Sequence, residues 1–367
     1  MKVAIIHYWF INMRGGEKML EALLELYPEA DIYTHVYNPK VVSSLVKNHR
    51  IFTTRINRLP FAKKLYKIYL PLMPGALAEL NLQKYDLVIS SEAGPAKGIV
   101  PNPNAYHLCY CHSPMRYIWD MYHTYFKKRN LFIRFFIKYY ITSLRIWDIT
   151  SSNMVDRFVT NSHHSAKRIQ RIYNREAEVI YGPTEITRFL NNERKPEDYY
   201  LFFGEITEYK RADIAIDACL KLNRKLIVAG AGAKKRYINK NAKSGLVRFT
   251  GRVSNEQAVI LFSSARALLY PGIEDLGLVP IEAQAAGCPV IAFRDGGALD
   301  TVKENITGLF FDEQNSDSLY EAIERFEKME AEGKFLDRKI FTDHVKQFSY
   351  DAFQEKVKTI VEERKRI

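Results

Sequence analysis

The chain has 367 residues, 47% of them hydrophobic and 26% charged, enough apolar side chain for two cores and too little bias for a disordered or fibrous protein. Lysine and arginine number 54 against 42 acidic residues, a formal charge of +12, so an anionic partner is expected: phosphate, nucleic acid or an acidic membrane surface. No run reaches the ~18 uninterrupted apolar residues that a membrane-spanning helix needs, and Cys109, Cys111, Cys219 and Cys288 lack paired spacing, which suits a reducing, cytoplasmic setting.

The opening MKVAIIHYWF predicts a first strand over 3–7; no small-residue cleavage site follows, so it is not read as a signal peptide. Gly15 and Gly16 then make a turn that opens an amphipathic helix carrying Met19, Leu20, Leu23 and Leu24 on one face. Short apolar runs predict further strands over 87–90, 107–110 and 157–161. His107, Cys109, Cys111 and His112 surround one of them, but their spacing matches no common zinc pattern and predicts a buried strand instead. Two stretches of this half interleave cations with apolar residues. In one, Lys63, Lys64 and Lys67 accompany Phe61, Leu65, Ile68 and Tyr69; in the other, Lys127, Lys128, Arg129, Arg134 and Lys138 accompany Phe132, Phe135, Phe136 and Tyr139. At helical spacing each is either a domain face with solvated lysines or an interfacial helix for anionic lipid. Tyr181-Gly-Pro-Thr and the polar run after it predict a hinge, and strands over 200–203, 226–229, 247–250, 267–270 and 290–293 follow. The expected division is a first α/β domain over 1–180, a hinge over 181–197, a second such domain over 198–349, and a final helix over 350–367 that packs back across the junction. Alternating apolar runs and helix-period segments are the mark of α/β layers built on parallel sheets.

The segment ARALLYPGIEDLGLVPIEAQAAGCPVIAF concentrates the chemistry. A buried strand ends at Pro271-Gly272, a loop of small residues follows, and a helix opens near Pro280 and stops at Gly287. A helix N-terminus after such a loop is an anion site, because the backbone N–H groups of Gly277, Leu278 and Val279 have no helical acceptor and the helix dipole adds to their pull. Glu274 precedes the loop and Glu282 lies inside the helix, with seven residues between them. Two such carboxylates can accept hydrogen bonds from the paired hydroxyls of a sugar and a ribose.

Glu274 and Glu282 flanking Gly277-Leu278-Val279-Pro280, with Pro289-Val290-Ile291-Ala292, Gly296-Gly297 and Thr307-Gly308-Leu309 behind them, resemble the Glu-x7-Glu region of retaining glycosyltransferases of family 4. The resemblance implies the α/β GT-B fold, two Rossmann-like doubly wound domains facing a central cleft. It extends to Met13-Arg14-Gly15-Gly16-Glu17-Lys18, which is similar to the family's donor-approaching glycine loop, and to Tyr110-Cys111-His112-Ser113-Pro114-Met115-Arg116-Tyr117. It assigns Glu274, His112 and Lys210 to the reacting centre. Gly15, Gly16, Gly204, Glu205, Lys210, Arg211, Arg252, Gly277, Leu278, Val279 and Glu282 would line the donor, and Arg116 and Tyr117 the acceptor. Within the family the chain is most similar to mannosyltransferases of O-antigen and related surface polysaccharides. GDP-mannose is thus the favoured donor, a lipid-linked glycan the acceptor, and the inner face of the cell membrane the place of work. A UDP-sugar enzyme of the same fold and a silent scaffold of a polysaccharide assembly are the alternatives.

One position departs from the family. Where it carries an arginine beside the donor diphosphate, this chain has Glu205, five residues before Lys210. Repulsion of roughly 1 to 4 kcal/mol per close charge pair is expected unless Glu205 turns away. Arg211 and Arg252 are candidate replacement cations, and Arg211 a candidate partner for Glu205. No Asp-x-Asp occurs in the chain, so no metal–diphosphate clamp and no cofactor is expected. No Gly-x-Gly-x-x-Gly follows the first strand, which speaks against a dinucleotide oxidoreductase, and no RNA-binding motif accompanies the basic stretches.

Overall fold

A computed structural model describes residues 1–13, 15–126, 131–232 and 235–364. The chain divides into two compact units, Met1–Pro183 with Phe353–Ile367, and Thr184–Ala352. In the first, seven strands form one sheet: β1 (Val3–His7), β2 (Asp31–Thr34), β3 (Ile51–Thr53), β4 (Leu87–Glu92), β5 (Tyr106–Cys111), β6 (Arg157–Thr160) and β7 (Ala177–Val179). Their spatial order is β3-β2-β1-β4-β5-β6-β7, and every pairing is parallel. Six strands build the second sheet: β8 (Tyr200–Phe203), β9 (Leu226–Ala229), β10 (Val247–Gly251), β11 (Leu268–Tyr270), β12 (Val290–Phe293) and β13 (Gly308–Phe311). They run β10-β9-β8-β11-β12-β13, again all parallel.

Each sheet is doubly wound. Chain order reverses between β1 and β4 in one and between β8 and β11 in the other, and in open parallel sheets ligands bind beyond the carboxyl ends of the strands at such a switch point. Central strands are buried on both faces, as VAIIH and LIVA show by their uniformly buried residues, which is why they are nearly pure apolar runs. Beneath the second sheet, Tyr200, Phe202, Ile214, Ile216, Leu319, Ile323 and Phe326 share one core. At roughly 1.5 to 3 kcal/mol per buried large side chain, such a core offsets the backbone entropy of the loops it carries.

Among the described residues, sequence and structure agree on nine strands and differ on four. β2, β3, β7 and β13 lack the expected signal because they are three or four residues long and three of them carry Asp, Thr or Glu. The unit boundary falls at Pro183, so 184–197 is part of the second unit. The Arg194 guanidinium donates to the carbonyl of Arg266 at 3.0 Å, and Arg338 donates to Phe189 O at 3.1 Å. The final helix, Tyr350–Glu363, contributes Phe353 and everything after it to the first unit, where Gln354 donates to Ala22 O at 3.1 Å.

The stretch from Phe61 is not one amphipathic helix. Phe61 has φ 51°, a single turn Ala62–Leu65 follows, and Leu70–Leu72 is a separate 3-10 turn; Pro60 and Pro71 bracket the region and no side chain caps either turn. Phe61 and Ile68 are nonetheless exposed, at 75% and 67%. Lys127, Lys128 and Arg129 lie outside the described residues, as do the side chains of Phe132, Arg134, Phe135 and Phe136. Tyr139, from the helix Leu131–Ser151, is 75% exposed.

Candidate functional site

In the second unit the loops after β8 and β11 meet. β8 leads through Gly204 to a 3-10 turn, Glu208–Lys210, and β11 leads through Pro271-Gly272 to Glu274. Lys210 Nζ and Glu274 Oε1 are 2.7 Å apart, with both side chains largely shielded. Glycines permit this approach. A Cβ on Gly204 would stand 3.0 Å from Lys210 Nζ, and one on Gly272 would stand 2.8 Å from Lys210 Cα. Gly297 backs the other side of the loop: its N–H donates to Glu274 O at 2.8 Å, and a Cβ there would lie 2.3 Å from Leu276 Cα. The Gly296-Gly297 turn is therefore the platform on which Glu274 rests.

Gly277, at φ 81°, starts the helix Leu278–Ala285, and no side chain caps that N-terminus. The amides of Leu278 and Val279 are thus oriented for an anion beside the Lys210–Glu274 pair. Tyr270 lies beneath the loop; its hydroxyl is 2.7 Å from where a Gly277 Cβ would sit, and burial together with the nearby Glu274 carboxylate drives its pKa well above the ordinary phenol range. One turn into the helix, Glu282 Oε1 accepts from Arg188 Nη2 at 3.0 Å. Arg188, from the turn Thr187–Leu190, is also 3.7 Å from Glu185 Oε2 and stacks over Phe189 at 4.6 Å. It orients the carboxylate assigned to the ribose, and the 94 residues between the two conceal that link in the sequence.

The candidate cations Arg211 and Arg252 differ in their surroundings. Arg211 donates through Nε and Nη2 to Asp213, at 2.9 to 3.1 Å, and reaches Gln314; its partner is Asp213, two residues on, rather than Glu205. Glu205 and Arg252 are both solvent-exposed. Exposure lets the Glu205 carboxylate remain hydrated, which lowers the cost of its charge near an anion.

In the first unit the candidates gather at the β1–β4 switch point. Gly15 and Gly16 open the helix Gly15–Leu26, and a Cβ on Gly16 would lie 2.7 Å from Tyr8 Oη and 3.7 Å from His112 Nε2, so this turn closes directly on His112. Arg14 lies outside the described residues. Half-buried His112 follows β5; its N–H donates to Glu92 O at 2.9 Å and its Nε2 is 3.1 Å from Ser91 Oγ. Burial, reinforced by neighbouring His7 and opposed by Glu17, pulls its pKa down to about 3, so the ring is neutral at physiological pH. Arg116 and Tyr117 are half-buried in the loop beyond, where the Tyr117 hydroxyl meets Met115 Sδ at 3.0 Å. Behind that loop is a buried charged group that the sequence did not suggest. Lys97 Nζ lies 3.2 Å from Glu92 and also contacts Asp148, all three fully buried, while Trp119 Nε1 donates to Asp148 at 2.7 Å. Burial opposes the charge on Lys97, yet the two carboxylates outweigh it and hold its pKa above normal.

Two doubly wound sheets with candidate groups at their switch points define the GT-B class of fold. Residues 183–341, all but the first of them in the second unit, match the model of the group 1 glycosyl transferases. Among curated proteins, the chain is 31% identical over 138 residues to an uncharacterized glycosyltransferase of Methanocaldococcus jannaschii, 35% of each chain. It is 26% identical over 255 residues to human alpha-1,3/1,6-mannosyltransferase ALG2, covering 60% of this chain and 58% of that protein. The matches thus span about a third to three fifths of these relatives' lengths. Among solved structures, Anabaena HepE in complex with UDP superposes with a TM-score of 0.70 at 15% identity, covering 99% of this chain and 100% of that one.

Proposed function

We propose that this protein transfers a hexose from a nucleotide-sugar to a lipid-linked or oligosaccharide acceptor in cell-surface polysaccharide synthesis. Mannose from GDP-mannose is the favoured donor, and the new bond keeps the anomeric configuration. The observation that carries the reading is the 2.7 Å pairing of Lys210 with Glu274 beside an uncapped helix N-terminus. A diphosphate competes with Glu274 for the lysine, which frees the carboxylate for sugar hydroxyls. As the bond from anomeric carbon to phosphate oxygen breaks, the acceptor oxygen bonds to that carbon on the same face, and the acceptor's proton passes to the departing phosphate. Lys210 and the amides at 277–279 stabilise the charge that grows there. Glu282, braced by Arg188, takes the ribose, and His112 touches the sugar. Lys210 and the amides at 277–279 take the place of a metal at the diphosphate, so transfer is metal-independent. Similarity to a mannosyltransferase over 60% of the chain supports the choice of sugar.

The lipid-linked acceptor is met at an anionic membrane from its cytoplasmic face. Supporting this are Phe61, Leu65, Ile68 and Leu72, all exposed beside exposed Lys63, Lys64 and Lys67, and the part-buried Leu70 of the same stretch, which packs against the cluster of Met115, Ile118, Ile141 and Leu144 next to Arg116 and Tyr117. No helix among the described residues is long and apolar enough to cross a membrane. Thermal-shift titration with GDP-mannose, UDP-glucose and UDP-GlcNAc tests the donor: GDP-mannose is expected to raise the melting temperature most. A larger shift with a UDP-sugar refutes the mannosyl assignment, and no shift with any donor refutes the enzyme.

A further inference from the structure

Under the glycine turn of the first unit, a line of side chains runs inward from His112. Ser91 Oγ is 3.1 Å from His112 Nε2 and 3.0 Å from His7 Nδ1, and His7 Nε2 faces Glu17 Oε1 at 3.8 Å. His7 and Ser91 are fully buried and Glu17 is 2% exposed. The sheet register sets the line: His7 on β1 pairs with Ser91 on β4, and Glu92 pairs with Cys111 on β5. Glu17 comes from the first turn of the helix that the glycines open.

A hydroxyl carries one proton, so Ser91 can donate to only one of the two imidazoles and must accept from the other. Glu17 decides which. An ionised carboxylate is an acceptor only, and His7 Nε2 has no hydrogen-bond partner among the described residues, so a proton on that nitrogen meets the negative charge while a lone pair would oppose it. With Nε2 protonated, His7 Nδ1 accepts from Ser91, and Ser91 accepts from His112 Nε2–H. His112 Nδ1 is left as the lone pair. We propose that Glu17, His7 and Ser91 are positioning residues that hold His112 in its Nε2-protonated tautomer, so that Nδ1 accepts a hydrogen bond from a hydroxyl of the transferred sugar. The neutral state of His112 is consistent with burial. The role at the sugar rests on the transfer reading above; the tautomer does not.

Long-range proton–nitrogen correlation spectra of the full chain labelled with 15N-histidine, assigned with His112→Gln and His7→Gln, test both parts. At pH 7 the wild type is expected to show His112 as a single Nε2–H species. Ser91→Ala is expected to give mixed tautomers, Ser91→Thr to restore the single species, and Glu17→Gln to loosen the preference while leaving Ser91 in place. A wild-type His112 protonated on Nδ1, or an unchanged tautomer in a folded Ser91→Ala protein, overturns the relay. In transfer assays, Ser91→Ala is expected to lower kcat about ten-fold with the donor-induced melting shift retained and Ser91→Thr recovering turnover; unchanged kcat with a mixed tautomer overturns the contact with the sugar. Absence of transfer by the wild type with any donor counts against the transfer reading, and the spectra still decide the relay.

Discussion

Replacing Gly297 by alanine perturbs the floor under Glu274 without touching any candidate group. Its φ of −71° suits any residue, so the substitution introduces no backbone strain of its own and acts only through space. The new methyl would fall 2.3 Å from Leu276 Cα, 2.4 Å from Asp275 O and 2.5 Å from Leu276 O, against ordinary contact beginning at 3.4 Å. The loop must therefore retreat by about 1 Å (3.4 − 2.3 = 1.1). Backbone on all three sides cannot swing away as a side chain would, so the retreat carries Glu274 with it and strains its 2.8 Å bond from the Gly297 N–H. Overpacking of this kind costs roughly 1 to 3 kcal/mol of stability, and a displacement near 1 Å at a reacting centre costs on the order of 100-fold in rate. Thermal unfolding and transfer kinetics measured together check both magnitudes. A Gly297→Ala protein with wild-type melting temperature and wild-type kcat/KM would refute the idea that this turn sets the position of Glu274.

Other expectations follow from the same geometry. Lys210→Met is expected to abolish most donor-induced stabilisation and, because it leaves the shielded Glu274 carboxylate without its cation, to destabilise the free protein by about 1 to 3 kcal/mol; retained donor binding by calorimetry would count against the diphosphate role. Arg188→Ala leaves the Glu282 carboxylate without its brace and is expected to raise the donor KM by several-fold with a smaller effect on kcat, whereas an effect confined to kcat would contradict the ribose assignment. His35 and His107 are buried, and burial outweighs their backbone-carbonyl partners to bring both pKa values down to about 4. The unfolded chain therefore binds more protons than the native one between pH 4 and 6.5, and stability falls as pH drops through that window, by up to about 3 kcal/mol per histidine. Urea midpoints that stay level from pH 7 to pH 4.5 would refute this. Anionic vesicles at low salt are expected to retain the wild type and to release a Phe61→Ser/Ile68→Ser variant; equal retention would show that another surface docks.

Much of the molecule is legible in its residues. Buried parallel strands must be continuous apolar runs, so β1, β8, β9 and β12 stand out, and the helix Leu278–Ala285 announces itself through Gly277 at its start, Pro280 in its first turn and Gly287 after its end. These are local requirements, and local composition records them. Sheet order, by contrast, is a property of crossovers. Only the tertiary structure places β8 against β11 and so brings Lys210 within 2.7 Å of Glu274 across 64 residues of chain (274 − 210). The partners of the candidate groups were hidden for the same reason. Arg188 and Glu282 are 94 residues apart and His7 and Ser91 are 84 apart, and hydrogen bonds at that separation leave no periodicity to find. The departure at Glu205 shows the converse limit. Its sequence position suggested a charge partner in Arg211, but a turn places the nearer Asp213 on that guanidinium. Residue types and their local spacing, which the chain records directly, single out the candidates for an anion or a sugar, because such sites require particular side chains. Which side chains meet was decided by the fold, because distance in space is set by strand order and not by distance along the chain.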